Sequence, residues 1–420
     1  MVAIEIRPGL GSHGSGPVLS WPDALGAQDG DIKTTIDWSL SAYTSATVEA
    51  RDFFRMAASA YIADVATSKP AVSLHRDLQL TVHIENSSRW DGDTIALVVD
   101  LLHWLTGDSW ELTLVETTVS TGQTTAMLPA DRVQLLSGGL DSLCGAVIGL
   151  RDDAAVTFVG HRDAMNAVRH AQNLIRESIQ GDAQYLTDEF YLREPSKRKN
   201  RGPRSRSLMF VALGALTASA ASAADVWVPE NGFTSINPPL DAGRGGALTT
   251  RSTHPYTFAM IRQLLGRLGI PISVTNPFQA LTKGELVASA TPELDSARWK
   301  PAVTASYSCA KGGTQRFHGD PNHNCGLCVA CVVRRASFVG ASVTDPSIYD
   351  SLRLTGDDLA GLYAERSRDI ISIQRAVVDG ISPELVLASG LWPIGTNYDE
   401  VLRLVDRGLK EVSAIDLAAP

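Results

Sequence analysis

Apolar positions recur along this chain with two periods, and the change from one to the other outlines its organisation. Over residues 45–68 they repeat at helical spacing, with Phe53, Phe54, Met56, Tyr61 and Ile62 on one long helix. Leu78, Leu80, Val82 and Ile84 then alternate strictly with polar residues, the period of a half-buried strand. A helix over 94–105 and a second alternation at Trp110, Leu112 and Leu114 follow. Residues 1–130 therefore read as a small α+β module, without a catalytic constellation of their own.

From Val133 the pattern becomes a series of β–α units. Short apolar runs fall at 133–136, 156–160, 185–192, 226–229 and 272–274, with helical stretches at 141–151, 162–180, 207–224 and 254–268. Strands alternating with helices of this length predict an α/β fold, a doubly wound parallel sheet with helices on both faces, over 131–305. The stretch 207–224 is almost wholly apolar or small, as suits a helix packed deep against that sheet. Ligands of such sheets bind beyond the carboxyl ends of the strands, where strand order reverses. A cysteine-rich segment occupies 306–350. Residues 351–420 read as a helical tail, broken at Gly380 and Pro393.

Composition narrows the class. Apolar residues make up 44% and charged residues 20% of the 420, as in an average globular protein. Acids outnumber bases 46 to 37, a balance that repels nucleic acid, so contact with RNA or DNA would need a local basic patch. The start Met1-Val2-Ala3-Ile4-Glu5 lacks a signal-peptide pattern, and no uninterrupted apolar run reaches the roughly 18 residues of a membrane span. The expectation is a cytoplasmic protein with no membrane segment.

Leu135-Leu136-Ser137-Gly138-Gly139-Leu140-Asp141-Ser142 ends a strand and opens a helix. Two glycines let the backbone turn sharply against an anion. The first helical amides and the positive end of the helix dipole then face phosphate oxygens. Ser137 and Ser142 add hydroxyl donors, and Asp141 suits a Mg²⁺ ion bridging pyrophosphate. The plainer alternative is an ordinary Gly-Gly turn with Asp and Ser as helix caps. Residues 137–142 match Ser-Gly-Gly-x-Asp-Ser, the signature of the PP-loop superfamily, and the lysine of a Walker A loop is absent. That resemblance implies an adenine nucleotide alpha hydrolase-like fold, with ATP split into AMP and pyrophosphate.

Of five cysteines, Cys309, Cys325, Cys328 and Cys331 cluster, the last three in two overlapping Cys-x-x-Cys steps. In a cytoplasmic enzyme this argues for metal rather than disulfides. Four thiolates suit a closed, structural Zn²⁺ site. A redox dithiol would not need four cysteines, while His318 or His323 could replace one ligand. Cys144, on the first turns of the helix after the phosphate loop, reads as a small buried hydrophobe rather than a nucleophile.

Glu230 and Asn231 follow directly on a strand. A carboxylate there could accept the ring N–H and exocyclic amine of a guanine-like base; a loop or helix cap is the other reading. Between Arg193 and Arg206 lie seven basic residues and one acid. The run reads as a solvated loop or as a lid over ATP phosphates, with Arg204 and Arg206 the lid candidates. RNA contact ranks below both, because aromatics for base stacking are missing there.

The PP-loop followed by this cluster resembles the 7-cyano-7-deazaguanine synthase (QueC) family over about residues 132–350. The residues that carry it are Ser308-Cys309, Cys325-Gly326-Leu327-Cys328-Val329-Ala330-Cys331, Arg334-Arg335-Ala336-Ser337-Phe338 and Asp345-Pro346-Ser347-Ile348-Tyr349. Gly160-His161-Arg162 is similar to the family's Gly-Gln-Arg, and Lys283 matches a lysine in the same relative place. The resemblance implies catalytic roles for Asp141, Ser142 and Lys283. It implies ATP contacts from Leu136, Ser137, Gly138, Gly139, Leu140, Gly160, His161 and Arg162. It implies adenylation of the carboxylate of 7-carboxy-7-deazaguanine, then attack by an amine: ammonia in the standard enzyme, which goes on to the nitrile.

Departures from the family are the long spacer before Cys325, Val329-Ala330 between the last two cysteines, the N-terminal module and the tail. The stretch Pro229-Glu230-Asn231-Gly232-Phe233-Thr234-Ser235-Ile236-Asn237-Pro238-Pro239-Leu240 looks like the QueC-like proteins of antiphage operons, such as QatC. That likeness implies a changed acceptor, an amine of a partner protein; a homodimer is a further possibility. Other readings are the ordinary ammonia-using synthase, a tRNA-modifying PP-loop enzyme, and a nucleotide-sensing scaffold. Net charge −9 and four cysteines given to one site count against the tRNA enzyme. Retention of Asp141 and both serines counts against the scaffold.

Overall fold

The computed structural model describes residues 2–9, 17–23, 30–70, 75–119, 127–151, 154–162, 165–200, 202–240 and 251–418. In its first part, strands β1 (Val2–Pro8), β2 (Val18–Trp21) and β3 (Ile32–Thr34) precede helix α1 (Val48–Ala66). Strand β4 (Asp77–Ile84), helix α2 (Gly92–Thr106) and strand β5 (Ser109–Glu116) follow. β1, β2, β4 and β5 form one sheet in the order β2-β1-β4-β5, parallel throughout. The alternation read from the sequence holds in β4, where every second side chain is buried.

Residues 132–275 build the second sheet. β6 (Arg132–Leu135), α3 (Leu140–Gly149), β7 (Val156–Arg162), α4 (Asn166–Ile179) and β8 (Gln184–Leu192) run outward in one direction. The chain then returns through α5 (Arg206–Ala220) to β9 (Asp225–Trp227) on the other side of β6. It continues through α6 (Gly232–Ile236) and α7 (Pro255–Leu268) to β10 (Ser273–Thr275). The order is β10-β9-β6-β7-β8-β3, with five parallel strands and β3 antiparallel at the edge. The fold is α/β with a doubly wound parallel sheet, as the alternation of elements predicts. Strand order reverses between β6 and β9. That crevice is where a ligand belongs in a sheet of this kind.

The two sheets enclose a common helical layer. α1 packs on α5, β4 and β8, while α2 packs on α7 and β5. A helix covered on both sides has no polar face to spare, which accounts for burial of nearly the whole circumference of α1. One apolar core runs from Ile4 through Phe54 and Leu213 to Val274. Charges inside this layer are paired: Arg55 reaches Asp52 at 2.8 Å, and Arg76 bridges Asp64 (2.6 Å) and Asp108 (2.5 Å).

On the opposite face, α3 and α4 pack with α8 (Lys283–Ala290) and α9 (Lys300–Ala305). The cysteine segment leads into α10 (Val329–Gly340), and the tail forms α11 (Gly356–Asp379), α12 (Pro383–Ala388) and α13 (Tyr398–Val412). Gly380 and Pro393 fall between these tail helices, as the sequence predicts. Among the described residues no helix is long and apolar enough to cross a membrane.

Candidate functional site

The loop after β6 turns at Gly138, whose φ of +92° is left-handed and favours glycine. A Cβ there would also lie 3.3 Å from Gln172 and 3.4 Å from the Val168 carbonyl. Gly139 is the N-cap of α3 and supplies no side chain, so no side-chain cap covers the first amides of that helix. Ser142 Oγ donates to the Gly139 carbonyl (3.0 Å) and lies 3.1 Å from Ser137 Oγ. Leu136 is buried, its amide bonded to Val159. An uncapped helix start with two hydroxyls at its lip is an anion cradle.

Asp141 projects from the first turn of α3 into the reversal crevice. Lys283, the first residue of α8, places Nζ 2.6 Å from its Oδ1. Asn231, the N-cap of α6, donates its side-chain amide (2.6 Å) and backbone N–H (3.2 Å) to Oδ2. Burial would raise the Asp141 carboxyl, but the Lys283 charge and hydrogen bonds from Glu230, Lys283 and Asn231 hold it well below the usual range. Burial, and then the charge of Asp141, pushes the neighbouring Glu230 well above it. Two adjacent carboxyl groups are thus driven in opposite directions, a separation that clusters at functional sites. Asn276, just past β10, holds the Glu230 backbone: its amide donates to the Glu230 carbonyl at 2.7 Å.

A cavity of about 790 Å³ opens above this group. Ser137, Gly139, Asp141, Ser142 and Lys283 line its floor, and Glu230 and Asn237–Leu240 one wall. The segments Tyr307–Lys311 and Val329–Val333 contribute a second wall, and α11 contributes Arg368, Asp369, Ile371 and Ser372. Lys311 pairs with the buried Asp369 at 3.0 Å. Neither Asn276 nor the α11 wall was among the candidates from sequence. Nothing local in the sequence marks them, because both reach the site only through the tertiary fold.

Other candidates lie apart from the cavity. Gly160 serves as a spacer: a Cβ there would lie 2.9 Å from the Leu136 carbonyl, beneath the loop. His161 turns into the core, where Nε2–H donates to the Phe190 carbonyl (2.8 Å) and the ring meets Tyr61 edge-on. Arg162 donates to Asn173. Arg204 and Arg206 flank Ser205, which donates to Asp64 at the end of α1 (2.7 Å), so their loop is tied to the N-terminal module. Neither arginine lines the cavity, and Arg201 of the same basic run lies outside the described residues.

Cys309, Cys325, Cys328 and Cys331 are buried, with their sulfurs all within 4.8 Å of one another. Two of the separations are 3.9 Å (Cys309–Cys328) and 3.8 Å (Cys325–Cys331). A tetrahedron with Zn–S bonds of about 2.3 Å has edges of about 3.8 Å, so the four thiols fit zinc. His318 pairs with Asp358 (3.0 Å) and His323 with Asp350 (3.1 Å) instead of joining them. Cys144 is fully buried, and burial raises its thiol far above the reactive range, as befits a packing residue. Beside the cluster, the Tyr307 amide donates to the Gly138 carbonyl at 3.0 Å, tying the cysteine segment to the phosphate loop.

No family model matches the chain. It is 35% identical over 79 residues to a protein named 7-cyano-7-deazaguanine synthase from Chelativorans sp. (strain BNC1), covering 19% of this chain and 28% of that one. The protein of the same name from Rhizobium meliloti (strain 1021) is 34% identical over 79 residues, with the same coverage. A protein named 7-cyano-7-deazaguanine synthase 1 from Sphingopyxis alaskensis is 28% identical over 152 residues, 34% of this chain and 57% of that one. The chain therefore spans between 28% and 57% of the length of these curated relatives.

Proposed function

We propose that this chain is an ATP-dependent, adenylate-forming ligase of the 7-cyano-7-deazaguanine synthase type. The observation that carries the reading is the buried group of Asp141, Lys283 and Asn231 beside an uncapped phosphate loop, at the point where strand order reverses. The likeness to proteins named 7-cyano-7-deazaguanine synthase supports the choice of substrate.

In this reading the α3 amides and the Ser137 and Ser142 hydroxyls hold the β- and γ-phosphates of ATP. Lys283 exchanges Asp141 for a phosphate oxygen and stabilises charge on the leaving pyrophosphate. Asp141, released from Lys283, would hold a Mg²⁺ ion, which would supply charge neutralisation to the phosphates. The carboxylate of 7-carboxy-7-deazaguanine attacks the α-phosphorus, forming an acyl-adenylate as pyrophosphate leaves. An amine then attacks the acyl carbon, AMP departs, and the amine's proton is lost to give an amide. Glu230 faces the base edge: two N–H donors there would stabilise its carboxylate and draw off the proton that burial favours. Cys309, Cys325, Cys328 and Cys331 would hold a Zn²⁺ ion, which would brace the Tyr307 connection to the loop without an open position for chemistry.

For the acceptor we propose an amine on a partner protein, in the manner of the antiphage-operon proteins that the 229–240 stretch resembles. A protein chain needs an open approach to the acyl carbon, held at about 3–3.5 Å. The cavity is lined by Asn237–Leu240 and by α11, on which Arg368 and Ile371 are exposed. The test is mass spectrometry after incubation with ATP, Mg²⁺, 7-carboxy-7-deazaguanine and either ammonia or the proteins encoded beside it. A deazaguanine adduct on a protein supports the reading. Efficient formation of the free nitrile, without a protein adduct, returns the chain to ordinary nucleoside biosynthesis.

A further inference from the structure

The last helix of the tail touches both segments that deliver partners to Asp141. Its Glu411 carboxylate accepts the Thr282 hydroxyl on one oxygen and the Gly284 amide (3.0 Å) on the other, so it brackets Lys283 in the chain. The approach needs glycine at 284: a Cβ there would lie 2.5 Å from Glu411 Oε1. Thr282 and Glu285 form a capping box at the start of α8, and the anion of Glu411 adds to it at the positive end of the helix. Arg407, one turn earlier on α13, donates to Glu285 (2.8 Å) and to the Ala280 carbonyl (2.9 Å).

The same helix presses on the turn after Asn231. A side chain at Gly408 would run into the Phe233 ring, and one at Gly232 would lie 2.5 Å from Leu404. Between the two segments, the Gly232 amide donates to the Leu281 carbonyl at 2.7 Å. Asn231 and Lys283 are therefore fixed to each other and to α13 at once.

We propose that Glu411 is a positioning residue for the ligase reaction: through Thr282 and Gly284 it sets the backbone from which Lys283 reaches Asp141. The inference rests on the functional reading above for its kinetic consequence, although not for its geometry. The exposed Arg407–Glu285 pair contributes little by comparison. The helical tail is thus part of the catalytic assembly, whatever else it docks.

Two measurements on the full chain test this. The first follows acetylation of Lys283 by a water-soluble acetyl ester, read by mass spectrometry. Glu411→Ala should speed labelling at least ten-fold while Glu411→Gln, which can still accept from Gly284, largely restores protection. Arg403→Ala, on the exposed side of α13, should label as the native chain does. If Glu411→Ala does not fold, Glu411→Asp, which draws the carboxylate back from Thr282 and Gly284 by one methylene, carries the same prediction. Unchanged labelling in the folded variant overturns the proposal.

The second measurement is a double-mutant cycle on ATP turnover. Glu411→Ala should lower kcat at least ten-fold with little change in the KM for ATP. It should cost almost nothing further when Lys283 is already alanine, because the two act as one unit. Losses that multiply overturn the proposal. A native chain that releases no pyrophosphate defeats the functional reading instead, and the labelling result still decides the clamp.

Discussion

At the residue scale the central feature is the dry ion pair of Asp141 and Lys283, both under a tenth exposed. Removing one partner leaves the other charge buried and uncompensated, which typically costs about 3–5 kcal/mol. Lys283→Met should therefore lower the melting temperature as well as cut turnover at least a hundred-fold to a measurable residue, and calorimetry beside an activity assay separates the two. Asp141→Asn keeps the shape and an oxygen for Asn231, so its fold should survive while Mg²⁺-dependent turnover falls at least a hundred-fold. A stable Asp141→Asn protein with native turnover would remove Asp141 from the mechanism. The loop residues, Asp141 and the cysteines were legible because local spacing dictates their chemistry. His161 was not: whether a side chain after a strand turns to ligand or to core depends on what covers it, here Tyr61 and Phe190.

At the scale of elements, the cysteine segment acts as a splint. Four thiols that fit one zinc lie a few residues from the Tyr307–Gly138 bond, so metal loss should loosen the phosphate loop as well as the segment. Cys328→Ser is expected to reduce zinc content, melting temperature and ATP affinity together, whereas Cys144→Ser should leave zinc content unchanged. Elemental analysis, calorimetry and nucleotide titration check the three. A metal-free protein with unaltered melting and binding would show the segment to be incidental. The β–α alternation was readable to within a few residues, since each element carries its own period. Strands β1, β2 and β3 escaped notice because the sequence shows no helical stretch between them, so the β–α repeat that reveals the short β9 and β10 is missing there.

At the scale of the whole molecule, the N-terminal part is built into the six-stranded sheet and its helices. β3 completes the six-stranded sheet, and α1 and α2 cover α5 and α7. Deleting residues 1–125 would strip α1 from α5, a helix whose Leu213, Ala215 and Leu216 are all fully buried in the intact chain. Such a truncation should aggregate or lose cooperative melting, to be judged by circular dichroism and size-exclusion chromatography. A soluble, active truncation would contradict the shared core. Partner docking must therefore be probed by surface substitutions. Sequence periodicity could not reveal this sharing, because a helix buried from two sides and one buried deep in its own module look alike.

All three scales bear on the proposal that the loop after β6 grips pyrophosphate as a leaving group. The most direct test follows ATP labelled in its α-phosphate, with Mg²⁺ and 7-carboxy-7-deazaguanine present, through a single turnover. The account predicts that the label appears in AMP or in an acyl-adenylate, with one equivalent of unlabelled pyrophosphate. Label recovered in ADP, with free phosphate as the other product, would contradict it.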